Sequence, residues 1–410
     1  MHYTIDAQQQ NKNLTGSEQR CIRILQVVGG MNRGGIETWL MHILRHIDRD
    51  RIQMDFLVHT TQPEAYDDEI RALGSPLIPC LEPSRPWIYA SNFKQLLNTH
   101  GPYDIVHSHL HHFNGYVLRL ARQAGIPVRI AHTHTDTSSQ DVKAGWSRRL
   151  YLALMKRWIA RYATYGMAIN RQAAAGLFGV AWESDPRWRV FDCGIDLTPF
   201  QDVVDPIAVR AELGIPEDAF VIGHVGRFVT VKNHTFIVDI ASEVAQREPK
   251  FYLLLVGDGP LRPDIEQKIA QKGLCDRVIF AGVRSDVHRL MLGAIDLFLF
   301  PSLYEGMGNV RLEAQAAGVF CVVSDTVPEE GDVVKPLVQR MSLSQPACQW
   351  AEAILAAKKA DPGITQAEAL KLVEQSSFNI QVSVKDLEKL YLDLSLLPFT
   401  KSVQIDPSKS

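Results

Sequence analysis

Short apolar, β-branched runs alternate with longer stretches of helical periodicity along most of this chain, and the alternation breaks once near residue 200 before starting again. Few folds satisfy that rhythm. Parallel strands need a crossover between them, normally a helix, so repeated strand–helix units give a largely parallel sheet covered on both faces. In the first half, residues 22–28, 54–58, 105–109 and 128–131 read as strands, with 36–46 as the helix after the first. In the second half, 220–226, 251–256, 278–280, 297–300 and 319–324 read as strands, with helical patterns at 234–247 and 262–272. Between the halves, Asp196-Leu197-Thr198-Pro199-Phe200 and Asp205-Pro206 form a polar, proline-bearing linker. The expected fold is therefore α/β, with two doubly wound Rossmann-like domains at 21–200 and 201–378, a division that suits 410 residues. Ligands in such sheets bind beyond the carboxyl ends of the strands, so two facing sheets share one cleft. Residues 1–20 and 398–410 read as disordered from composition.

Charge and cysteine content narrow the partners. Lys and Arg total 43 against 46 Asp and Glu, a balance without the basic excess of a nucleic-acid binder. The six cysteines are scattered with no Cys-x-x-Cys pair, so they read as small buried hydrophobes of a reducing compartment. No basic-then-apolar leader opens the sequence, and no apolar stretch reaches the roughly 20 residues that span a bilayer. The expected location is cytoplasmic, with a peripheral contact on the inner face of the cell membrane.

Four features carry candidate chemistry. Gly29-Gly30-Met31-Asn32-Arg33-Gly34-Gly35 lies between the first strand and its helix, where glycines and a helix N-terminus suit a phosphate or sugar. It lacks the Gly-x-Gly-x-x-Gly spacing of dinucleotide binding, and a tight turn without ligand would look the same. Gly226-Arg227-Phe228-Val229-Thr230-Val231-Lys232 ends the first strand of the second half. Its two cations suit a diphosphate, Arg as a planar fork and Lys as a point charge, although solvated surface cations are the plainer reading. The segment from Tyr304 through Glu305, Gly306, Met307, Gly308, Asn309 and Val310 to Glu313 is the most specific. Its glycines free the backbone to wrap a ligand at a helix N-terminus, and both glutamates can face the cleft as acceptors for sugar hydroxyls. Alternatively, Glu313 simply complements the helix dipole.

The fourth feature is dense in histidine: His107, His109, His111 and His112, then His132 and His134. A metal site, a set of structural imidazoles, and a polar wall with one or two functional imidazoles all fit this pattern, and the last is preferred. A separate helix, Trp146–Tyr162, sets Tyr151, Leu152, Met155, Trp158, Ile159 and Tyr162 on one stripe and Arg149, Lys156, Arg157 and Arg161 opposite. Such a helix either docks on a sheet or makes weak contact with an anionic membrane.

Together these motifs resemble the retaining glycosyltransferases of family 4, which have the GT-B fold. The resemblance runs from about Ile22 to Leu396. It is carried by Gly34-Gly35-x-Glu37, Asp104-Ile105-Val106-His107-Ser108-His109, Gly226-Arg227-Phe228 with Lys232, Gly257-Asp258-Gly259-Pro260, and Glu305 with Glu313. The branch that builds exopolysaccharide, capsule or O-antigen looks most similar.

The resemblance implies a catalytic group of Arg227, Lys232, Glu305 and His134. Arg227 and Lys232 would hold the departing diphosphate, and Glu313 the ribose. Glu305 and the backbone of Gly306, Met307, Gly308, Asn309 and Val310 would meet sugar and phosphates. Gly35 would approach the diphosphate, and Arg284, after Gly282-Val283, would lie where the base is read, largely through backbone. His109, His111 and Arg33 would stand on the acceptor side, and residues 379–397 would form a helix crossing back to the first domain. No metal or other cofactor is implied. The partners implied are a nucleotide-sugar donor, UDP-linked in preference to GDP-linked, and a saccharide or lipid-linked acceptor. The loop departs from the family at Asn309 and Arg311, where apolar residues are common. The competing functions are a nucleotide-sugar epimerase of the same architecture and a non-catalytic nucleotide-sugar-binding subunit of a polysaccharide assembly.

Overall fold

The two sets of apolar runs form two separate parallel sheets in the computed structural model, which describes residues 20–135 and 145–396. The terminal segments expected to be disordered lie outside the described residues, Arg20 excepted. The first sheet comprises β1 (Ile22–Val27), β2 (Ile52–Val58), β3 (Leu77–Pro79), β4 (Ile105–Ser108), β5 (Val128–Thr133), β6 (Tyr165–Ala168) and β7 (Trp188–Val190), in the order β3-β2-β1-β4-β5-β6-β7. The second comprises β8 (Phe220–Val225), β9 (Phe251–Val256), β10 (Val278–Gly282), β11 (Leu297–Phe300), β12 (Phe320–Ser324) and β13 (Val338–Met341), in the order β10-β9-β8-β11-β12-β13. Helices on both faces bury the central strands completely. That is why β9 and β11 read as nearly unbroken apolar runs instead of alternating ones.

In both sheets the strand order reverses beside the first strand, between β1 and β4 and between β8 and β11. A crevice opens at such a switch point, and the loops leaving these four strands carry the two glycine-bearing turns at 29–35 and 226–232, the first histidine cluster and the Glu305 loop. The doubly wound fold expected from the alternation is the one found.

The chain returns to the first domain at its end. Ile195 bridges Asn379 in parallel, and the helix Ile380–Leu396 packs against the helix Gly35–His46. Glu388 accepts a hydrogen bond from the Asp48 amide at 2.7 Å, and the Ser383 hydroxyl donates to the Asp192 carbonyl at 3.1 Å.

The helix Trp146–Tyr162 differs from its expected stripe. Only Leu152, Met155 and Ile159 are buried, because a 100° step per residue aims those three at the helix Asn114–Gln123. Tyr151 lies at the exposed edge, and the outward face also carries Trp146, Leu150 and Leu154.

Candidate active site

The loop after β11 reaches across the cleft. Asn170, which caps the helix Arg171–Phe178, donates from Nδ2 to the Gly306 carbonyl. Gly306 lies so close to the first domain that a Cβ there would run into the His134 carbonyl oxygen. Gly308 follows with φ 71°, a left-handed turn that starts the helix Asn309–Ala316. Three backbone amides at this N-terminus have no helical acceptor, which favours an anion there.

Beneath the loop sits Arg311, fully buried. It donates to Asp332 at 2.5 Å, to the Pro328 carbonyl at 2.8 Å and to the Met307 carbonyl at 3.2 Å. Gln315, one turn on, donates to the Gly331 carbonyl and accepts from the Val334 amide, each at 2.8 Å. The departure from the family at Arg311 therefore lies under the loop, fastening it, and away from its ligand-facing side. Met307 is buried as well, and Asn309 Oδ1 is buried without a hydrogen-bond partner among the described residues.

Arg227 and Lys232 lie at the end of β8, facing this loop. The Leu303 amide donates to the Val231 carbonyl at 2.8 Å and joins the two segments. Lys232 Nζ donates to Glu305 Oε1 at 2.6 Å, with both side chains mostly buried, and lies 4.9 Å from the Phe300 ring centre. Arg227 is exposed, and its guanidinium makes no hydrogen bond or ion pair among the described residues. Gly257 and Gly259 pack against this turn so tightly that a Cβ on either would strike the backbone at Gly226 or Phe228.

Glu313 lies on the helix Asn309–Ala316, and its carboxylate has no hydrogen-bond partner among the described residues. Burial pushes its carboxyl up to about 7. The Arg284 side chain is engaged by neighbouring acids. Its guanidinium is held by Asp286 at 2.7 Å and Glu212 at 2.9 Å, which leaves the backbone of its loop, and not its side chain, for a ligand.

On the first domain, the glycine-rich loop is partly occupied by the chain's own acids. The Met31 amide donates to Glu64, whose carboxylate lies over Gly30, and Glu37 lies against Gly34. Burial, together with the charge of Glu64, raises the Glu37 carboxyl. Gly35 faces open space and Arg33 is exposed.

His107, His109, His132 and His134 are all buried at the ends of β4 and β5, with the Trp39 ring edge-on to His132 at 5.4 Å. Burial pushes all four far below the usual imidazole range, so they stay neutral at physiological pH. Their nitrogens face one another: His107 Nε2 and His132 Nδ1 are 3.2 Å apart, and His109 Nδ1 and His134 Nε2 are 2.9 Å apart. His107, His109 and His132 also lie close enough to ring a metal ion, as do His132, His134 and Cys193. The paired nitrogens already serve as hydrogen-bond partners to one another. His111 has the left-handed φ of 54°, rare for a side chain of its size, and donates from Nε2 to the Thr135 carbonyl at 3.1 Å.

Five residues that sequence reasoning did not single out complete the site: Gln26, Glu64, Asn170, Asp332 and Tyr391. Only Asn170 carried a local signal, an Asn directly before a helical run.

Two doubly wound sheets facing one cleft at their switch points define a GT-B protein, and comparison of folds agrees. HepE from Anabaena, solved with UDP and glucose, superposes with a TM-score of 0.75 at 20% identity, over 92% of this chain and 100% of that one. Sucrose-phosphate synthase from Thermosynechococcus elongatus gives 0.73 at 20% identity, over 91% and 99%. Residues 34–193 match the Glycosyl transferase 4-like domain, and residues 207–368 match Glycosyl transferases group 1. EpsF of Bacillus subtilis (strain 168), a glycosyltransferase by name, is 38% identical over 375 residues, 90% of this chain and 96% of its own length. CapH of Staphylococcus aureus, a capsular polysaccharide biosynthesis glycosyltransferase, is 22% identical over 92% of this chain and 100% of its own length. The chain belongs to the GT4-type glycosyltransferases.

Proposed function

We propose that this enzyme moves a hexose from a UDP-sugar to a saccharide or lipid-linked saccharide during surface polysaccharide biosynthesis, with retention and without a metal ion. The observation that carries the reading is that the segment after β8 bearing Arg227 and Lys232 meets the loop bearing Glu305 and leading to Glu313, at the switch point, with Gly306 of that loop against the His134 carbonyl. UDP lies in the HepE structures, and a UDP-galactose-dependent galactosyltransferase of Escherichia coli is 24% identical over 74% of this chain. Neither competing function is favoured, since the relatives are named as glycosyltransferases.

Cleavage of the sugar C1–O bond places negative charge on the departing diphosphate. Arg227, Lys232 and the free amides at Gly308–Asn309 stabilise it as fixed charges and dipoles. The acceptor hydroxyl then attacks C1 from the face that the diphosphate leaves, and its proton passes to the departing phosphate oxygen. Glu313 accepts from the ribose hydroxyls, Glu305 accepts from the sugar, and Gly35 lets the diphosphate approach the first domain. His134 meets the sugar, while His109, His111 and Arg33 line the acceptor side. The bridge from Gly306 to His134 and Asn170 keeps water from the reacting carbon, which favours transfer over hydrolysis.

The helix Trp146–Tyr162 contacts anionic lipid in the same reading. It packs against Asn114–Gln123, which neighbours Pro86–His100, and these three helices contain no Asp or Glu but eight Lys and Arg. Among the described residues no helix is long and apolar enough to cross a membrane.

The test is a panel of UDP- and GDP-sugars added without metal, read as thermal shift and slow donor hydrolysis. A shift with one UDP-sugar and release of UDP supports the reading, and no shift with any donor overturns it.

A further inference from the structure

The cleft imidazoles are tied to the far end of the chain by a closed set of hydrogen bonds. Tyr391, carried by the helix Ile380–Leu396 and fully buried, places its hydroxyl 2.7 Å from His107 Nδ1 and 3.1 Å from Gln26 Nε2. Gln26 Oε1 in turn lies 2.9 Å from His109 Nε2. With the His107–His132 and His109–His134 pairs, six buried side chains form two arms that meet at one amide.

With the Gln26 amide oriented as in this structure, proton counting fixes every hydrogen in this set. Gln26 Nε2 donates to the Tyr391 oxygen, so the single Tyr391 proton goes to His107 Nδ1. A neutral His107 must then carry its own proton on Nε2 and give it to His132 Nδ1, which leaves the His132 proton on Nε2. In the second arm, Gln26 Oε1 can only accept, so His109 carries its proton on Nε2. His109 Nδ1 then accepts from His134 Nε2–H, and His134 Nδ1 remains an acceptor. Reversing the Gln26 amide would reverse both arms and move all four protons to Nδ1.

We infer that Gln26 and Tyr391 are positioning residues that hold His107, His109, His132 and His134 together as Nε2–H tautomers, so that docking of the C-terminal helix sets which nitrogen of the cleft histidine can accept. The catalytic half of this inference rests on the proposed contact between His134 and the sugar, and the tautomer half does not. Burial supports the count, because imidazoles that stay neutral must each choose one nitrogen.

The test uses the full chain with 15N-labelled histidine and no sugar, so that its outcome is independent of activity. Long-range 1H–15N correlation, assigned by single replacements, reports which ring nitrogen is bare. All four imidazoles are expected to be bare at Nδ1, and one found protonated there overturns the inference. Tyr391→Phe keeps the ring and deletes the hydroxyl. It should leave a cooperative melt but return all four signals to a mixture of tautomers, while kcat falls about tenfold at nearly constant donor KM, the scale of one hydrogen bond. Gln26→Met, which removes the amide from the opposite side, should give the same mixture. Four unmoved signals in either folded variant overturn the selector role, and moved signals with unchanged kcat overturn its catalytic consequence. A chain that binds no donor yet keeps the ordered tautomers would sink the proposed function alone.

Discussion

Glu313 gives the sharpest quantitative handle on the donor site. Burial moves its carboxyl from an ordinary value of 4.5 to about 7. A ribose hydroxyl that donates to it stabilises the ionised form, so binding must remove the proton below that pH. With a pKa of about 7, roughly one-tenth of the sites are ionised at pH 6 and nine-tenths at pH 8, so affinity should rise about tenfold across that interval. A UDP-sugar is the right probe, because its diphosphate is doubly esterified and does not titrate there. The cleft histidines, held far below this range, do not titrate there either. Calorimetry in two buffers of different ionisation heat should find close to one proton released at pH 6 and almost none at pH 8. Glu313→Gln should bind with no pH dependence in this interval. Stability must change in the opposite sense. The folded pKa is the raised one, so the stabilisation is complete below about 4.5 and is lost as pH rises through 7, by about 3 kcal/mol relative to Glu313→Gln. Equal affinity at pH 6 and pH 8, or a proton released equally at both, would refute the ribose assignment.

Three further outcomes follow from the geometry. Arg227→Ala removes an unpaired cation at the leaving group and should lower turnover at least about a hundredfold with an unchanged melting temperature; wild-type turnover in a steady-state assay would remove the diphosphate role. Arg311→Met strips a fully buried guanidinium from Asp332 and the carbonyls of Met307 and Pro328, and chemical denaturation should register a loss of about 3 kcal/mol. Gly306→Ala drives a methyl into the His134 carbonyl, so donor hydrolysis should increase relative to transfer as the bridge across the cleft opens, a ratio that product analysis measures directly.

The parts of this molecule that could be read in advance share one physical property: they repeat, or they sit at strand ends. Strands buried on both faces show as apolar runs, and so β1, β4, β8, β9 and β11 were legible. The three-residue β3 and β7, and β6 with its Tyr-Gly-Met-Ala sequence, carry too little pattern to separate from loops. The loop after β11 was legible as a candidate because its glycines and acids cluster where a strand gives way to a helix. The pairing of the Arg284 guanidinium with Asp286 and Glu212 could not be read, since an arginine after a strand looks alike whether it meets a ligand or neighbouring acids. Tyr391 could not be read at all. Its partners lie 284 and 365 residues away, and a lone tyrosine on an amphipathic helix carries no mark of a buried hydroxyl bond.

The ion pairs of the site set an order of engagement. Lys232 is already neutralised by Glu305, and the first-domain loop already offers its Met31 amide to Glu64. Arg227 is therefore the cation that an arriving diphosphate meets unpaired. Its planar fork can take two phosphate oxygens before anything else moves. Drawing Lys232 onto the phosphate then frees Glu305 to accept from the sugar, so binding of one half of the donor prepares the site for the other. Lys232→Met would leave the mostly buried Glu305 carboxylate without its cation, so that it is no longer held in place to accept from the sugar. Lys232→Met should therefore weaken binding of the whole UDP-sugar more than that of UDP, whereas Arg227→Ala should weaken both alike. Calorimetry with the two ligands separates these patterns, and equal losses for Lys232→Met would mean that the pair is only an ion pair of the scaffold.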